Sequence, residues 1–322
     1  MNIATILIGD VRQRIREIPD ATVQCVVTSP PYWGLRDYGH DGQIGLEQTP
    51  DEYVAEMVAV FRDIRRILKN DGTLWLNIGD SYTPAGNGST KKNLNVNTHG
   101  YESPTPKQNA DENHLDRSTL QSDTKPKDLV GIPWRVAFAL QADGWWLRQD
   151  IIWHKPNPMP ESVTDRCTKA HEYLFLLTKS PRYYFDNEAI KEPALWADDN
   201  RAGQGRLTYD GKRQGEAGQG QEAFVTITDK RNKRDVWTIP TKPFKGAHFA
   251  VMPEALVEPC ILAGSREGDT IFDPFNGSGT VGVVALQHNR NYIGIELNPE
   301  YVTIAEQRLN NANPLFSTIV IA

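Results

Sequence analysis

A glycine-rich segment late in the chain has the composition of a turn that can hold a small ligand. It reads Asp273-Pro274-Phe275-Asn276-Gly277-Ser278-Gly279-Thr280 and lies between an apolar run and a stretch with helical spacing. Gly277 and Gly279 allow the backbone to turn tightly and to approach a ligand closely. Glu296 ends the next apolar run, roughly 20 residues on, where a carboxylate can accept hydrogen bonds from both hydroxyls of a ribose. The pattern predicts a nucleoside cofactor, with an unliganded strand-to-helix turn as the alternative.

The residues of this turn also separate the classes of nucleoside cofactor. The turn has no Gly-Lys-Ser or Gly-Lys-Thr sequence, which a phosphate-binding P-loop requires. It lacks the third glycine of the dinucleotide-binding pattern, and Asp273 at its mouth would repel a pyrophosphate. An acidic residue at that place favours a cofactor with a cationic methionine group.

A second motif lies early in the chain, where an apolar run stops abruptly. It reads Thr28-Ser29-Pro30-Pro31-Tyr32-Trp33. Proline cannot continue a central strand, and two prolines stiffen the backbone and remove two N–H donors. Carbonyl acceptors, the Ser29 hydroxyl and the projecting ring of Tyr32 remain, which suits an amino group on a flat heterocycle. A rigid turn that only ends a strand is the alternative.

Together the two motifs resemble those of the β-group amino-methylating DNA methyltransferases, the N4-cytosine and N6-adenine enzymes of restriction-modification systems and phages. In that group the catalytic motif precedes the cofactor loop, as it does here, whereas glutamine and ribosomal-protein methyltransferases have the opposite order. The resemblance covers residues 1–82, 129–195 and 236–310. It implies that the catalytic residues are Ser29, Pro30, Pro31, Tyr32 and Trp33. It implies S-adenosylmethionine as cofactor, held by Asp10, Thr28, His248, Pro253, Asp273, Pro274, Phe275, Gly277, Ser278, Gly279, Thr280 and Glu296.

The resemblance also implies a target and a mechanism. Ser at position 29 indicates N4 of cytosine in duplex DNA, since enzymes that act on N6 of adenine more often have Asp there. N6-adenine methylation stays open, as does a DNA- or nucleoside-binding module without catalysis. The base would be flipped out of the helix and stacked on Tyr32, with Ser29 and Pro30 accepting the amino hydrogens. Trp33 either lines this pocket or packs in the core, and no metal is expected.

The apolar patterns predict the elements that must position these residues. Strands are expected at 3–8, 23–28, 73–78, 147–153, 173–178, 270–272 and 292–296. Helices are expected at 12–18, from 50 up to Asn70-Asp71-Gly72, and at 132–141, 254–263, 280–288 and 299–309. This alternation predicts a doubly wound α/β fold with a mostly parallel sheet. The resemblance implies the Rossmann-like class I methyltransferase fold in circularly permuted form.

The chain is expected to divide into three parts. Residues 1–154 form the catalytic part of the methyltransferase domain and contain a flexible polar insertion at 83–128. Residues 155–240 are the expected target-recognition region, and 241–322 form the cofactor-binding part. Basic residues of the middle part are candidates for contacts with DNA phosphates and base edges. They are Lys155, Arg166, Lys169, Lys230, Arg231, Lys233 and Arg234.

The bulk composition limits the class of protein. Of 322 residues, 39% are hydrophobic and 24% charged, and the net charge of −6 argues against a protein that simply coats DNA. No apolar run reaches the roughly 18 residues of a membrane span. Three distant cysteines, Cys25, Cys167 and Cys260, favour a reducing compartment. We expect a cytoplasmic protein of a prokaryote or phage-infected host, monomeric or homodimeric, with duplex DNA and a cognate restriction endonuclease as partners.

Overall fold

Eleven strands are defined within the residues that the computed structural model describes, namely 2–35, 37, 39–40, 42–83, 124–194, 230–241, 251–312 and 317–322. They are β1 (Asn2–Ile8), β2 (Val23–Thr28), β3 (Leu68–Ile78), β4 (Trp146–His154), β5 (His171–Thr178), β6 (Glu192–Pro193), β7 (Lys230–Arg231), β8 (Val236–Thr238), β9 (Thr270–Asp273), β10 (Asn291–Glu296) and β11 (Ser317–Ile321). Most of the insertion expected at 83–128 lies outside the described ranges.

The central sheet is mostly parallel, as predicted. Its strand order is β11-β1-β10-β9-β2-β3-β5-β4-β8, while β6 and β7 form a separate pair. All neighbours from β11 to β3 are parallel, and so are β4 and β8. Within this described sheet only β5 runs in the opposite direction, antiparallel to both β3 and β4.

Helices cover both faces of the sheet. They are α1 (Val11–Arg14), α2 (Pro50–Ile67), α3 (Ile132–Ala142), α4 (Glu254–Gly264), α5 (Thr280–Gln287) and α6 (Pro299–Ala312). The alternation along β2 sends Val26 into the core beneath α1, α2 and α3, whereas Cys25 and Val27 pack with α4, α5 and α6. The doubly wound fold is therefore confirmed. None of these helices, in the part of the chain that the structure describes, combines enough length with enough apolar surface to span a membrane.

The start of α2 follows the predicted signals. Thr49 Oγ1 accepts a hydrogen bond from the Glu52 amide at 3.1 Å, and Glu52 Oε2 accepts one from the Thr49 amide at 3.1 Å. This reciprocal cap satisfies two amides that the first turn leaves without partners. Pro50 occupies the first helical position, and the helix buries an apolar stripe against the sheet, formed by Tyr53, Met57, Val60, Phe61, Ile64 and Ile67.

The strand after α2 begins earlier than predicted. Asn70-Asp71-Gly72, expected to end the helix, lies inside β3. The pairing with β2 is made at Leu68 and resumes at Thr73, so residues 69–72 form a bulge. A Cβ at Gly72 would lie 2.6 Å from the Leu68 side chain, and glycine therefore permits the bulge. These turn-forming residues predicted a separation between helix and strand. In the structure they form the extra residues of a β-bulge within the strand.

Four strands were not predicted from the sequence. β6, β7 and β8 have two or three residues each, which is too short for a recognisable period of hydrophobicity. β11 contains the β-branched run Thr318-Ile319-Val320-Ile321, a signal that favours a strand. It pairs in parallel with β1 at the edge of the sheet.

The region expected to recognise DNA is not separate from the central sheet. Its described part contributes β5 and β8 to that sheet. The assignment of residues 155–240 to target recognition stays a prediction, and so do the other two parts of the predicted division.

The topology brings the two sequence motifs to one edge of the sheet. The carboxyl ends of β1, β10, β9, β2 and β3 meet there because these strands are parallel neighbours. We refer to it as the carboxyl edge, where open α/β sheets bind their ligands. β5 begins at this edge and β4 ends there, since β5 is reversed. The polar residues at or next to these strand ends are Asp10, Glu296, Asp273, Thr28, Ser29, Asn77, Asp80, Lys155 and Glu172.

Candidate active site

The cofactor loop, residues 273–280, turns from β9 into α5 through two left-handed glycines. The φ angle is 50° at Gly277 and 76° at Gly279, a region in which other residues are strained. A Cβ at Gly279 would also lie 2.9 Å from the Cβ of Ala305 on α6. The amide of Asn276 donates to the backbone of β10 and ties the loop to the neighbouring strand. Both predicted glycines are therefore required by the observed backbone.

Glu296 faces this loop from the end of β10. Its Oε2 accepts a hydrogen bond from the Gly277 amide at 2.7 Å, and its Oε1 accepts one from the Asn298 amide at 2.8 Å. Burial raises the pKa of Glu296, although these backbone hydrogen bonds act to lower it. An ionised carboxylate has about four acceptor sites, so both oxygens keep the capacity to accept from ribose hydroxyls.

Asp273 is buried where β9 ends. Its Oδ1 accepts hydrogen bonds from the Thr28 hydroxyl at 2.7 Å and from the Phe275 amide at 3.0 Å. Burial raises the pKa of Asp273 to about 7, the two hydrogen bonds oppose this shift, and the Glu296 carboxylate adds to it. The negative charge is therefore poorly solvated in the protein alone, and a cationic group nearby would stabilise it.

This shift predicts a pH-dependent effect of Asp273→Asn on stability. The folded protein holds the Asp273 proton more tightly than the unfolded chain, whose Asp has a pKa of about 4. The carboxyl group therefore contributes stability at low pH, and this contribution is lost as the pH rises from about 4 to about 7. Asn cannot ionise, so the variant should gain a few kcal/mol relative to wild type over this interval, at about 1.4 kcal/mol per pKa unit.

Urea unfolding of both proteins at pH 4.5 and pH 8 measures this difference. Other titrating groups are common to the two proteins and cancel in the comparison. A difference in unfolding free energy that is the same at both pH values would contradict the raised pKa.

The predicted catalytic motif, residues 28–33, begins at the last residue of β2, at the carboxyl edge. Ser29 is half-buried and Pro30 is buried. The Tyr53 hydroxyl of α2 donates to the Pro31 carbonyl at 2.9 Å and holds the second proline in place. The hydrogen bond from Thr28 to Asp273 joins the start of this motif to the cofactor loop. The structure therefore brings the two predicted motifs into direct contact.

The ring of Tyr32 lies against the backbone at the end of β3. A Cβ at Gly79 would lie 2.6 Å from Cε2 of that ring, so only glycine leaves room for it. The Tyr32 hydroxyl donates to Glu172 Oε2 at 2.8 Å and lies 3.4 Å from Ser29 Oγ. Burial raises the pKa of Tyr32 well above its usual range, and the Glu172 carboxylate adds to the shift. The phenol is therefore protonated and its position is fixed.

Trp33 packs in the core, which is the second of the two roles considered for it. Its side chain is buried among the apolar residues beneath α2, and its Nε1 donates to the Glu47 carbonyl at 2.9 Å. The Gly34 amide donates to the Gly45 carbonyl at 2.9 Å. These bonds hold the loop after the catalytic motif, and we assign Trp33 to loop support.

Asp10 lies beside Glu296, since the Gly9 amide donates to the Glu296 carbonyl at 2.8 Å. Both of its oxygens are engaged by Arg12, with Oδ2 2.5 Å from a guanidinium nitrogen. Burial raises the pKa of Asp10, but the hydrogen bonds and charge of Arg12 outweigh burial and hold it below its usual value. Arg12 also donates to the Gly42 carbonyl at 2.6 Å and thereby links Asp10 to the loop after the catalytic motif.

The segment predicted to precede the cofactor loop is described only in part. His248 lies outside the described residues, whereas Pro253 forms the amino-terminal cap position of α4. The sequence did not single out Arg308 of α6. Its guanidinium donates to the Ser278 carbonyl and hydroxyl, both at 2.7 Å, and to Thr280 Oγ1 at 2.9 Å. Arg308 therefore braces the cofactor loop from below.

Glu172 and Asn77 were also missed by the sequence analysis. Asn77 Nδ2 donates to Glu172 Oε2 at 3.3 Å and to the Tyr173 carbonyl at 3.1 Å. Lys155, considered above as a DNA contact, forms an ion pair with Glu172. The polar pair His171-Glu172 directly before an apolar run was the available signal. Placing it beside Tyr32 required the direction of β5, which the sequence did not reveal.

The groups at the carboxyl edge fit a cationic nucleoside cofactor. Three carboxylates, those of Asp10, Glu296 and Asp273, occupy the ends of the adjacent strands β1, β10 and β9. Two basic groups lie beside them. Arg12 donates to Asp10, and Arg308 donates to the Ser278 carbonyl of the cofactor loop. Acceptors for hydroxyl and ammonium groups suit S-adenosylmethionine, whereas they would repel a pyrophosphate.

Comparison with known proteins gives the same assignment. The family model of the N6/N4 DNA methylases matches residues 23–307. The chain is 49% identical to type II methyltransferase M.Cfr9I of Citrobacter freundii over 96% of this chain and 88% of that one. It is 48% identical to type II methyltransferase M.SmaI of Serratia marcescens, over 94% and 90% of the two chains.

Solved structures share the fold at lower identity. The Thermus thermophilus protein TTHA0409, complexed with S-adenosyl-L-methionine, superposes with a TM-score of 0.59 at 22% identity, covering 99% of this chain and 98% of that one. The cytosine-N4-specific PvuII DNA methyltransferase gives 0.62 at 18% identity, covering 99% and 95%. By sequence and by fold, the chain belongs to the N6/N4 DNA methylase family and is an S-adenosylmethionine-dependent DNA methyltransferase.

Proposed function

We propose that this DNA methyltransferase modifies the exocyclic N4 amino group of cytosine in duplex DNA. The observation that carries the proposal is the contact between its two motifs, the 2.7 Å hydrogen bond from Thr28 to Asp273. Because of this bond, Ser29 and Pro30, which we propose as acceptors for the amino group, directly follow a residue that contacts the cofactor loop. Such proximity converts a reaction between two bound molecules into an effectively unimolecular step.

The choice of cytosine rests on Ser29. Enzymes of this family that act on N6 of adenine more often have Asp at the corresponding place, and this chain has a neutral hydroxyl. N6-adenine methylation is the second candidate, and the experiment below separates the two.

The catalytic motif supplies a platform and two acceptors. The target nucleotide leaves the base stack because its amino group is otherwise paired inside the duplex. Tyr32 stacks on the flipped base, while Ser29 Oγ and the Pro30 carbonyl accept the two amino hydrogens. These bonds draw the nitrogen lone pair out of conjugation with the ring. Bound S-adenosylmethionine supplies a methyl group on a positively charged sulfur.

The same acceptors stabilise the charge that develops on the amino nitrogen. The nitrogen lone pair forms the new N–C bond, the S–C bonding pair stays on sulfur, and one amino proton leaves to solvent. Ser29 Oγ and the Pro30 carbonyl carry partial negative charge, so they favour the nitrogen as it becomes positive.

Direct attack needs no cysteine nucleophile. Cys25 and Cys260 are buried, and burial raises the pKa of Cys25 to about 12 and that of Cys260 well above its usual value. Cytosine-C5 enzymes use a nucleophilic cysteine that follows a proline, and the dipeptide Pro259-Cys260 of this chain lies inside α4. These two thiols are therefore placed in the core and are not available to form a covalent intermediate.

Basic residues of the region 155–240 are proposed to contact DNA. Arg231 and Arg234 both donate to Glu192, at 2.9 Å and 2.8 Å. Arg166 lies 4.0 Å from the centroid of the Tyr82 ring. An arginine has five donors, so these contacts orient the guanidinium groups and leave donors for phosphates or guanine edges. By analogy with its type II relatives, we propose a cognate restriction endonuclease as partner.

The test is nucleoside analysis of plasmid DNA from a methylation-deficient host that expresses the chain. N4-methylcytosine would support the proposal, and mapping of the modified positions would give the recognition sequence. N6-methyladenine would retain the fold and cofactor but refute the assignment from Ser29. A protein that binds S-adenosylmethionine but gives neither product would act on another acceptor or serve only as a binding module. DNA from the same host carrying the empty vector is the control.

A further inference from the structure

A chain of hydrogen bonds runs behind the catalytic motif. Ser29 Oγ lies 3.4 Å from the Tyr32 hydroxyl, and that hydroxyl donates to Glu172 Oε2 at 2.8 Å. The other carboxylate oxygen of Glu172 is paired with the Lys155 ammonium. These four side chains come from the loop after β2, the start of β5 and the residue after β4. The chain of bonds thus ends in an ion pair on the antiparallel part of the sheet.

The Lys155–Glu172 end of this chain determines the direction of the hydrogen bonds that follow it. An ammonium group only donates and an ionised carboxylate only accepts. The Tyr32 hydroxyl lies 2.8 Å from Glu172 Oε2 and 3.4 Å from Asn77 Oδ1, and the shorter, charge-assisted bond to Glu172 takes its single hydrogen. The phenol oxygen can then only accept from Ser29. The Ser29 hydroxyl then donates its one hydrogen toward Tyr32. Its two lone pairs remain for a group on the other side.

Glu172 is itself held firmly in place. Asn77 Nδ2 donates to the same oxygen that Tyr32 uses, at 3.3 Å. The side chains of Lys155 and Glu172 are 18% and 16% exposed, so water competes little for the pair. The Lys155 ammonium also lies 4.2 Å from the centroid of the Trp153 ring, and its backbone amide donates to the Ala170 carbonyl at 2.8 Å. Both partners of the ion pair are therefore fixed independently of any substrate.

We propose that Glu172 is a positioning residue, which acts through Tyr32 to make Ser29 Oγ a hydrogen-bond acceptor toward the target amino group. The inference rests on the proposed function of Ser29 in binding that amino group. A Ser29 hydroxyl turned the other way would direct its hydrogen at the amino nitrogen. It would then occupy the lone pair that must attack the methyl carbon.

Glu172→Gln tests this role because it keeps the size of the side chain and removes its obligatory acceptor character. With its amide oxygen toward Lys155, Gln directs its NH₂ group at Tyr32 and reverses the chain of hydrogen bonds. We expect kcat on unmethylated plasmid DNA to fall about 10- to 100-fold, as for the loss of a charge-assisted hydrogen bond. The KM for DNA should change less than about threefold, since contacts with the phosphate backbone supply most of the affinity for a duplex. The calorimetric affinity for S-adenosylmethionine should also change less than about threefold, since the substitution removes no group proposed to hold the cofactor.

A double-mutant cycle with Tyr32→Phe identifies the route of the effect. Tyr32→Phe keeps the ring, removes the link to Glu172, and should itself lower kcat about tenfold. If Glu172 acts through the Tyr32 hydroxyl, Glu172→Gln should have little further effect in the Tyr32→Phe protein. Glu258→Gln, on the outer side of α4 and paired with His288, is the matched control and should keep wild-type kcat.

Several outcomes would overturn the proposal. Wild-type kcat in Glu172→Gln would do so, and so would effects of the two substitutions that multiply in the double variant. Wild-type kcat in Tyr32→Phe alone would also refute it, even if Glu172→Gln failed to fold. The identity of the methylated base in wild-type product is a separate readout. A wild-type enzyme that methylates adenine refutes the proposed function, whereas the cycle still measures the coupling between Glu172 and Tyr32.

Discussion

Tyr32→Ala is expected to lose most methyl transfer while cofactor affinity is retained. The substitution removes the surface proposed to hold the flipped base, and base stacking on an aromatic ring contributes about 1–3 kcal/mol. It also removes the hydroxyl that links Ser29 to Glu172, so the acceptor loses its orientation. Misplacement of a reacting group by about 1 Å can cost roughly a hundredfold. Turnover should therefore fall by roughly a thousandfold.

Single-turnover transfer of a labelled methyl group to plasmid DNA measures this loss, with calorimetry for S-adenosylmethionine affinity. Tyr32→Phe retains the ring and should fall between wild type and Tyr32→Ala. Tyr184→Ala is a suitable control, since Tyr184 lies away from the carboxyl edge, where its amide donates to the Asp71 carbonyl. The guanidinium carbon of Arg266 lies 3.8 Å from the centroid of its ring. Turnover of Tyr32→Ala at the wild-type rate would remove Tyr32 from the base pocket.

Asp273→Ala is expected to weaken S-adenosylmethionine binding at least about tenfold. The carboxylate accepts hydrogen bonds from Thr28 and Phe275, and hydrogen bonds to charged groups contribute about 1.5–3 kcal/mol each. Alanine leaves both donors without a partner in a buried place, so the cofactor loop loses its connection to β2. It also removes the negative charge that favours a cationic cofactor.

Titration calorimetry on Asp273→Ala and Asp273→Asn separates these two causes. Asn keeps an acceptor for Thr28 and Phe275 but has no charge, so its affinity reports the electrostatic part. Asp269→Ala is the matched control. Asp269 directly precedes β9, whereas Asp273 ends it, and the Asp269 carboxylate lies 2.8 Å from Lys69 Nζ. Unchanged affinity in Asp273→Ala would contradict the assignment of the cofactor loop.

The sequence predicted those parts of the site that depend on neighbouring residues. Gly277 and Gly279 are set by the local backbone, and the prolines that end β2 act on their own segment. Asp273 and Glu296 were identified because each ends an apolar run, and because Glu296 lies at the distance from the glycine-rich turn that a ribose-binding acid has. Parallel strands then bring these run ends together, so the edge of the sheet could also be predicted.

The parts that escaped prediction depend on pairings between distant segments. Glu172 lies beside Tyr32 only because β5 is antiparallel to β3. The direction of a strand cannot be inferred from its pattern of apolar residues. Arg308 reaches Ser278 from the far side of the cofactor loop, and helical spacing alone does not reveal that contact. Trp33 had two plausible environments in sequence, and the packing of the loop against α2 placed it in the core.

The position of β9 and β10 between β1 and β2 has a consequence for the growing polypeptide. β1 pairs with β10 and β11, and β2 pairs with β9 and β3, so a chain that ends before residue 270 has no partner for β1 and an open edge on β2. Synthesis adds about 5–20 residues per second, so a nascent chain spends on the order of tens of seconds with these strand edges unpaired. Unpaired strand edges are templates for aggregation. Premature termination should therefore give an aggregation-prone fragment, and chaperone binding during synthesis should concentrate on these two strands.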